Sequence, residues 1–200
     1  RQPDFVLCDL DMLKTLPRAE LASGFAEIVK HAAIADKAYF DFIEANTDAA
    51  LALDTAVMAH LVQRSVEIKA AVVSKDEHEG GERRKLNFGH TLGHAIEKLS
   101  GISHGHAVSI GMVLATRLSR DQTALPAAET ARLTALLERL DLPVRSELDP
   151  AQVFKALAKD KKRQQAHIHF VCLERIGRAV VQNIPLRSLE TTIGALLSAQ

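Results

Sequence analysis

Four histidines lie within a 17-residue stretch of the chain and are its strongest candidates for metal binding: His90, His94, His104 and His106. A catalytic zinc ion typically takes three protein ligands, often two histidines and one carboxylate, and keeps a further position open for substrate or water. Spacing alone does not separate His104 from His106, and it does not identify the carboxylate. The stretch contains no HExxH pattern, which disfavours a metalloprotease helix.

Glycines alternate with the first two of these histidines. If the segment is helical, Asn87, His90 and His94 lie three and four residues apart and share one face. Gly89 and Gly93 would each destabilise that helix by up to about 1 kcal/mol relative to alanine. Their presence predicts that something, here metal and substrate, lies close against the helix backbone.

Charged residues elsewhere could hold a small anionic substrate. Glu27 and Lys30 lie three apart on a predicted helix, where the simplest interpretation is a surface ion pair. Lys69 lies in an apolar run, and burying its ammonium there is costly unless an anion pairs with it. Residues 83–85 and 160–163 form basic clusters. Each cluster alone is typical of a solvated face, but beside a metal site they indicate a substrate with carboxylate or phosphate groups.

Apolar residues at helical spacing predict a mainly α-helical domain that positions these groups. Pro17 is expected in the first turn of the first helix. Residues 51–74 form a long helix suited to burial, and residues 107–120 form an apolar, central one. The full set of predicted helices is 18–35, 39–45, 51–74, 86–99, 107–120, 127–140, 151–160 and 186–197.

The β structure predicted from the sequence is small. Residues 5–8 are apolar and β-favouring, as at the end of a strand, and residues 75–85 form a polar, Gly-broken loop. Residues 167–173 and 178–184 flank a turn at Gly177 and predict a hairpin. No βαβ pattern or Gly-rich phosphate loop is visible, so no dinucleotide-binding fold is expected within these residues.

The composition excludes several classes of function. Among the 200 residues, 25 Lys plus Arg balance 25 Asp plus Glu, which gives no electrostatic reason to expect nucleic acid or an anionic membrane. No apolar run approaches the ~20 residues that span a bilayer, and the first residues do not resemble a signal peptide. Cys8 and Cys172 are expected to be buried free thiols in a reducing cytoplasm.

Seven collinear motifs that cover nearly the whole chain resemble the C-terminal domain of the 3-dehydroquinate synthases. The matching segments are 11–17, 24–30, 69–73, 76–77, 83–97, 104–112 and 160–162. The most specific is the run Asn-Phe-Gly-His-Thr-Leu-Gly-His-Ala-Ile-Glu within segment 83–97. The resemblance implies that residues 1–15 connect from an N-terminal α/β NAD-binding domain that is absent from this chain. Residues 16–200 would then form the helical metal- and substrate-binding domain.

The resemblance also implies roles for individual residues. Glu27, His90 and His104 correspond to the zinc ligands of the family. His106 stands where the family often has glutamate, and we do not expect it to be a ligand.

The remaining carried-over residues contact substrate or cofactor. The catalytic set would be Lys30 and Asn87, which can hydrogen-bond ring hydroxyls, and His94, which could shuttle a proton. Lys69 and Arg83 would hold the substrate carboxylate, and Lys161 the phosphate. The nicotinamide cofactor would touch a short segment near the start of the chain, Leu13, Lys14 and Thr15.

The family reaction converts 3-deoxy-D-arabino-heptulosonate 7-phosphate to 3-dehydroquinate and phosphate in the shikimate pathway, with zinc and catalytic NAD⁺. The Glu/His/His ligand set would also accept cobalt, and the family suggests a homodimer. A related cyclitol synthase, such as 2-deoxy-scyllo-inosose synthase, is an alternative, although Lys69 and Arg83 favour a carboxylate-bearing substrate. A metal-dependent polyol dehydrogenase is disfavoured by the histidine motif. A helical domain without catalysis of its own is the third alternative, because hydride transfer needs the NAD-binding domain.

Overall fold

The computed structural model describes residues 5–76, 81–161 and 167–198, without the side chains of residues 160 and 161. Within these ranges the chain is mainly helical and carries one antiparallel hairpin, which confirms the predicted fold class. Two 3₁₀ helices, Leu10–Thr15 and Glu82–Asn87, precede the first and fifth α-helices. The regular elements are α1 (Arg18–Ala35), α2 (Lys37–Ala45), α3 (Thr47–Leu51), α4 (Thr55–Lys75), α5 (His90–Ser100), α6 (His104–Thr123), α7 (Ala127–Arg139), α8 (Pro150–Lys161), β1 (His167–Arg175), β2 (Arg178–Pro185) and α9 (Leu186–Ser198).

Helix α6 is the central element, as its apolar sequence predicts. Val108 and Met112 face a core formed with α1, α2, α4 and α7. Ile110 and Leu114 face a second core formed with α5, α8, α9 and the hairpin. A helix with apolar residues on most of its surface has to be enclosed in this way. The residues at its N-terminal end, including His104, are thereby placed against both α1 and α5.

The hairpin closes the second core and is fixed to α1 by its turn. Gly177 has a φ of +85°, a left-handed conformation that favours glycine. Its backbone N–H donates to the Ala33 carbonyl at 2.8 Å. A Cβ at this position would lie 2.5 Å from the backbone nitrogen of Lys37, so the turn also needs glycine for space.

Residues 5–8 do not form the predicted strand. They have no strand partner among the described residues, and Phe5, Val6 and Leu7 are 80%, 74% and 82% exposed. A lone extended segment gains neither ladder hydrogen bonds nor a buried face, so apolar composition alone does not make it a strand. Cys8 is exposed for the same reason, contrary to prediction, whereas Cys172 is buried and both thiols are free.

The long helix predicted at residues 51–74 begins later, at Thr55, because residues 52–54 separate α4 from Leu51, which ends α3. Leu53 adopts a φ of +58°, and Asp54 caps α4 by accepting a hydrogen bond from the Val57 backbone at 3.0 Å. Helix α4 is also largely exposed, since its buried residues are only Met58, Leu61 and Ile68. Its Ala and Val content had predicted burial incorrectly. Pro17 was expected in the first turn of α1, but it is the N-cap residue and immediately precedes that turn.

In the parts of the chain that the structure describes, no helix combines the length and apolar character needed to cross a membrane.

Candidate metal centre

Three helices bring Glu27, His90 and His104 together. Glu27 lies in the middle of α1, His90 begins α5 and His104 begins α6. One potential ligand atom from each lies within 4.8 Å of the others. The spacing is suited to a divalent ion, although the role of these residues as ligands stays a prediction.

Glycines in α6 allow the three helices to meet. A Cβ on Gly105 would lie 2.2 Å from the Cα of Ser23 in α1. A Cβ on Gly111 would lie 2.0 Å from the carbonyl oxygen of Gly89, immediately before α5. Helix α6 therefore packs against both neighbours almost backbone to backbone. This packing brings the Glu27 and His90 helices to the helix that carries His104.

The glycines around His90 and His94 have the same explanation, which corrects the prediction made for them. A Cβ on Gly89 would lie 2.8 Å from the Val108 carbonyl, and one on Gly93 would lie 3.0 Å from the Ala107 carbonyl. These glycines therefore make room for the backbone of α6, whereas the prediction had placed metal and substrate against them.

Asn87 does not share a helical face with His90 and His94, contrary to the prediction. It ends the second 3₁₀ helix, and Gly89 separates it from α5 with a φ of +78°. His90 and His94 do share a face of α5, with ring centroids 5.3 Å apart. Asn87 is half-buried.

The Glu27–Lys30 pair is not a surface ion pair, contrary to the simplest interpretation of its spacing. Lys30 is only 3% exposed, and its Nζ donates to Glu27 Oε2 at 2.6 Å. Burial lowers the pKa of Lys30, and the Glu27 carboxylate partly offsets this effect. Burial also raises the pKa of Glu27, but Lys30 and His90 outweigh it and hold that pKa below its usual value. Glu27 is therefore ionised at neutral pH.

His90 has the protonation state that a metal ligand needs. Burial, followed by the Lys30 charge, lowers the pKa of His90 to about 4. The ring is therefore neutral near pH 7, and its Nδ1 lies 3.2 Å from the Phe88 carbonyl, to which it can donate. This tautomer leaves a lone pair on Nε2, which lies 3.7 Å from Glu27 Oε1.

Glu27 Oε1 supports a cation at this place. It is buried and has no hydrogen-bond partner among the described residues, while the other oxygen of the same carboxylate binds Lys30. A buried carboxylate oxygen without a partner is costly unless a cation or water satisfies it. The residues present therefore fit a metal ion between Glu27 and His90.

Two residues near the centre had no role predicted from sequence. Glu97 Oε2 lies 3.0 Å from His104 Nδ1, and the pair joins His94 in a second group whose potential ligand atoms lie within 4.8 Å. His31, next to Lys30, is 4% exposed, and its Nδ1 lies 2.6 Å from Ser65 Oγ. Burial lowers the pKa of His31 to about 4. The spacing of Glu97 from His94, three residues along a helix, was the available signal for the first of them.

The predicted substrate residues are spread around the centre. His94 is exposed, and its ring centroid lies 5.8 Å from that of His104. Lys69 is exposed rather than buried as predicted, although its charge acts on both Lys30 and His31. Arg83 is half-buried, and its backbone N–H donates to Asp76 at 3.0 Å.

The other predicted contacts are less closely defined. Lys161 ends α8, and its side chain lies outside the described residues. Leu13, Lys14 and Thr15 end the first 3₁₀ helix, which contacts α4. Leu13 packs on the core, Lys14 pairs with Asp11 at 2.6 Å, and Thr15 Oγ1 donates to the Met12 carbonyl. Their role toward a cofactor stays a prediction.

Comparison with known proteins gives concordant results. The family model described as 3-dehydroquinate synthase C-terminal matches residues 24–163. A 3-dehydroquinate synthase of Geobacter sp. (strain M21) is 44% identical over 200 residues, covering 98% of this chain and 54% of the relative. This chain thus spans about half the length of that relative.

Two solved structures share the fold. One is a 2-epi-5-epi-valiolone synthase from Streptomyces hygroscopicus subsp. jinggangensis 5008 with NAD⁺ and Zn²⁺ bound. It has a TM-score of 0.83 and 28% identity, covering 96% of this chain and 55% of its own. The other is a 2-deoxy-scyllo-inosose synthase complexed with carbaglucose-6-phosphate, NAD⁺ and Co²⁺. It has a TM-score of 0.74 and 25% identity, over 96% of this chain and 56% of its own.

Proposed function

The chain belongs to the 3-dehydroquinate synthase family, and from this premise we propose that it supplies the metal ligands and most substrate contacts of a 3-dehydroquinate synthase. The reaction is the conversion of 3-deoxy-D-arabino-heptulosonate 7-phosphate to 3-dehydroquinate and phosphate. This is a phosphorus–oxygen lyase step of the shikimate pathway, which makes aromatic amino acids.

The observation that carries the proposal is the convergence of Glu27, His90 and His104 from three helices. Zinc is the proposed metal, with cobalt also accepted by this ligand set. When bound, the metal supplies a Lewis acid for the alcohol that is oxidised, and NAD⁺ supplies the hydride acceptor. Neutral His90 and ionised Glu27 are already in the ligand forms at pH 7.

The surrounding side chains suit a substrate with two anionic groups, a carboxylate and a phosphate. Lys30 and Asn87 can orient ring hydroxyls beside the metal ligands, while Lys69 and Arg83 provide positive charge for a carboxylate. Lys161 would meet the phosphate. His94 lies on the same face of α5 as His90 and is exposed, so it can exchange a proton with substrate or solvent.

The proposal also covers the NAD⁺ site, to which this chain would contribute only one edge. NAD⁺ would be bound mainly by an N-terminal α/β domain, with Leu13, Lys14 and Thr15 at its edge. Apolar side chains near that segment are well exposed, including Met12 at 64% and Leu16 at 43%, and could pack against such a domain. A homodimer in the cytoplasm is the arrangement proposed for the whole protein.

A related sugar-phosphate cyclase is the second candidate, because the TM-score of 0.83 is to a 2-epi-5-epi-valiolone synthase. The higher identity to a 3-dehydroquinate synthase, 44% against 28%, favours the first candidate. The substrates differ in the carboxylate, so a direct assay separates the two proposals.

Two measurements test the proposed function. Phosphate release by the full-length protein, with zinc and NAD⁺, is followed with the heptulosonate phosphate and with glucose 6-phosphate. Turnover of the first alone is expected, and turnover of the second alone would refute the assignment in favour of a cyclitol synthase. If the full-length protein held both zinc and NAD⁺ and turned over neither substrate, the alternative of a helical domain without catalysis of its own would be favoured.

The metal assignment is tested separately by metal analysis of Glu27→Ala and His104→Ala. Both variants should lose bound zinc, while Glu138→Ala, on the exposed face of α7, should retain it. Unchanged zinc in both ligand variants would show that the metal is held elsewhere.

A further inference from the structure

We propose that Glu97 is a positioning residue for His104, fixing the ring of that metal ligand through its Nδ1. The inference rests on the proposed metal centre. Glu97 lies on α5, seven residues before His104, and its Oε2 lies 3.0 Å from His104 Nδ1. Helix α5 thus contributes both a ligand, His90, and the carboxylate that contacts another ligand on α6.

The contact fixes the tautomer of His104. A carboxylate accepts the Nδ1–H, which leaves the lone pair on Nε2 as the atom that can bind a metal. Metal-binding histidines almost always donate their second ring N–H to such a partner, which orients the ring and raises the basicity of the ligand nitrogen. His104 needs this support more than His90 does, because its side chain is 45% exposed against 13%.

Each ligand of the centre then has its own orienting contact. The Phe88 carbonyl lies beside His90 Nδ1, and Lys30 holds one oxygen of Glu27. Glu97 provides the corresponding contact for His104. The three contacts come from a loop, a buried lysine and an adjacent helix, so the centre can be formed before any metal arrives.

An alternative is that Glu97 is itself a ligand, in the group His94, Glu97 and His104. The positioning role is favoured by the buried Oε1 of Glu27 and by the burial of His90. The Glu27 and His90 side chains are 33% and 13% exposed, and Glu27 Oε1 has no hydrogen-bond partner in the part of the chain that the structure describes. Glu97 already has a hydrogen-bond partner, its side chain is 37% exposed, and His94 is exposed. A cation gains more from the buried, unpartnered oxygen than from a solvated one.

The experiment measures Co²⁺ affinity of the full-length protein by competition with a chelator, together with the visible spectrum of the bound cobalt. Glu97→Ala should weaken binding by about 10–100-fold, the usual effect of removing such an outer partner. Glu97→Gln keeps an acceptor without the charge and should fall between Glu97→Ala and the unaltered protein. The cobalt spectrum of Glu97→Ala should broaden, because the ring of His104 is less constrained. Glu138→Ala is the matched control, an exposed glutamate on α7, a helix that carries none of the candidate metal ligands.

Three outcomes would overturn the proposal. Affinity and spectrum of Glu97→Ala matching those of Glu138→Ala would show that Glu97 does not support His104. Loss of binding as complete as in His104→Ala would make Glu97 a ligand. Equal losses of Co²⁺ affinity in Glu97→Ala and Glu97→Gln would show that an uncharged hydrogen-bond acceptor at this position does not support His104. If the proposed metal centre were wrong, Glu27→Ala would bind Co²⁺ normally. That result distinguishes a wrong metal centre from a wrong role for Glu97.

Discussion

Gly111→Ala should damage both the fold and the metal centre, although it adds only one methyl group and lies seven residues after the predicted ligand His104. Gly111 is buried in α6, at the place where this helix packs against the residue that precedes α5. The new Cβ would lie 2.0 Å from the carbonyl oxygen of Gly89, 2.9 Å from its carbonyl carbon and 3.0 Å from the backbone nitrogen of Gly93. All three atoms belong to backbone and cannot move as a side-chain tip can.

The magnitude follows from these distances. To restore a contact of 3.0 Å, the backbone at Gly89 must retreat from α6 by about 1 Å, and overpacking of this kind typically costs about 1–3 kcal/mol. His90 follows Gly89 directly, so the same movement carries it away from His104. Metal–ligand distances tolerate only about 0.2 Å, so zinc binding should weaken even where the protein still folds.

Gly194→Ala is the matched control, since Gly194 lies in α9 and no described atom outside its own helix backbone lies within 4 Å of an added Cβ. Both substitutions gain up to about 1 kcal/mol of helix propensity, so their difference isolates the steric cost. Urea unfolding should place Gly111→Ala about 1–3 kcal/mol below Gly194→Ala in free energy of unfolding. Zinc content should fall only in the former. Equal stability and full zinc in both would refute the claim that contact between α5 and α6 sets the geometry of the centre.

Three further predictions concern buried polar groups. The pKa of His31 falls from 6.5 to about 4 on folding, so the unfolded chain binds more protons between these values and stability is lost as pH falls. In urea unfolding, the free energy of unfolding should fall by about 2 kcal/mol less between pH 7 and pH 5 in His31→Gln than in the unaltered protein. An unchanged dependence of this free energy on pH would contradict the burial argument. Tyr39→Phe removes a 2.6 Å hydrogen bond to the buried Leu61 carbonyl and should cost about 1 kcal/mol in thermal unfolding, whereas no loss would mean that water replaces the hydroxyl. Lys30→Met removes a cation from beside Glu27 and should tighten Co²⁺ binding in chelator competition while turnover is lost; weaker binding would mean that orientation of Glu27 outweighs repulsion.

Helices with clear apolar periodicity were predictable because burial of one face decides their position. Helix α6 and the hairpin at Gly177 follow this rule. Residues 5–8 show its limit, because a strand is defined by a partner that composition does not reveal. Helix α4 shows another, since Ala and Val favoured burial and only three of its residues are buried.

The site was only partly predictable. Helical spacing related His90 to His94 but wrongly included Asn87, because the left-handed conformation of Gly89 interrupts the helix. Helical spacing could not identify Glu27, because this residue reaches the centre from a different helix through tertiary packing. Resemblance to a family supplied that residue. The glycines marked a close contact correctly, but only three-dimensional structure shows that the contact is with α6.

The charges around the centre suggest why metal and substrate should bind cooperatively. Glu27 is the only carboxylate in the predicted ligand set, and one of its oxygens is already occupied by Lys30. A divalent cation would therefore leave the centre with net positive charge, increased by Lys30 and by nearby Lys69. Partly buried charges interact strongly, at about 4 kcal/mol per unit pair at 4 Å. An anionic substrate offsets this repulsion, so each should strengthen binding of the other, as linkage requires. A cationic site beside a metal is thus better suited to a phosphorylated acid than to a neutral polyol.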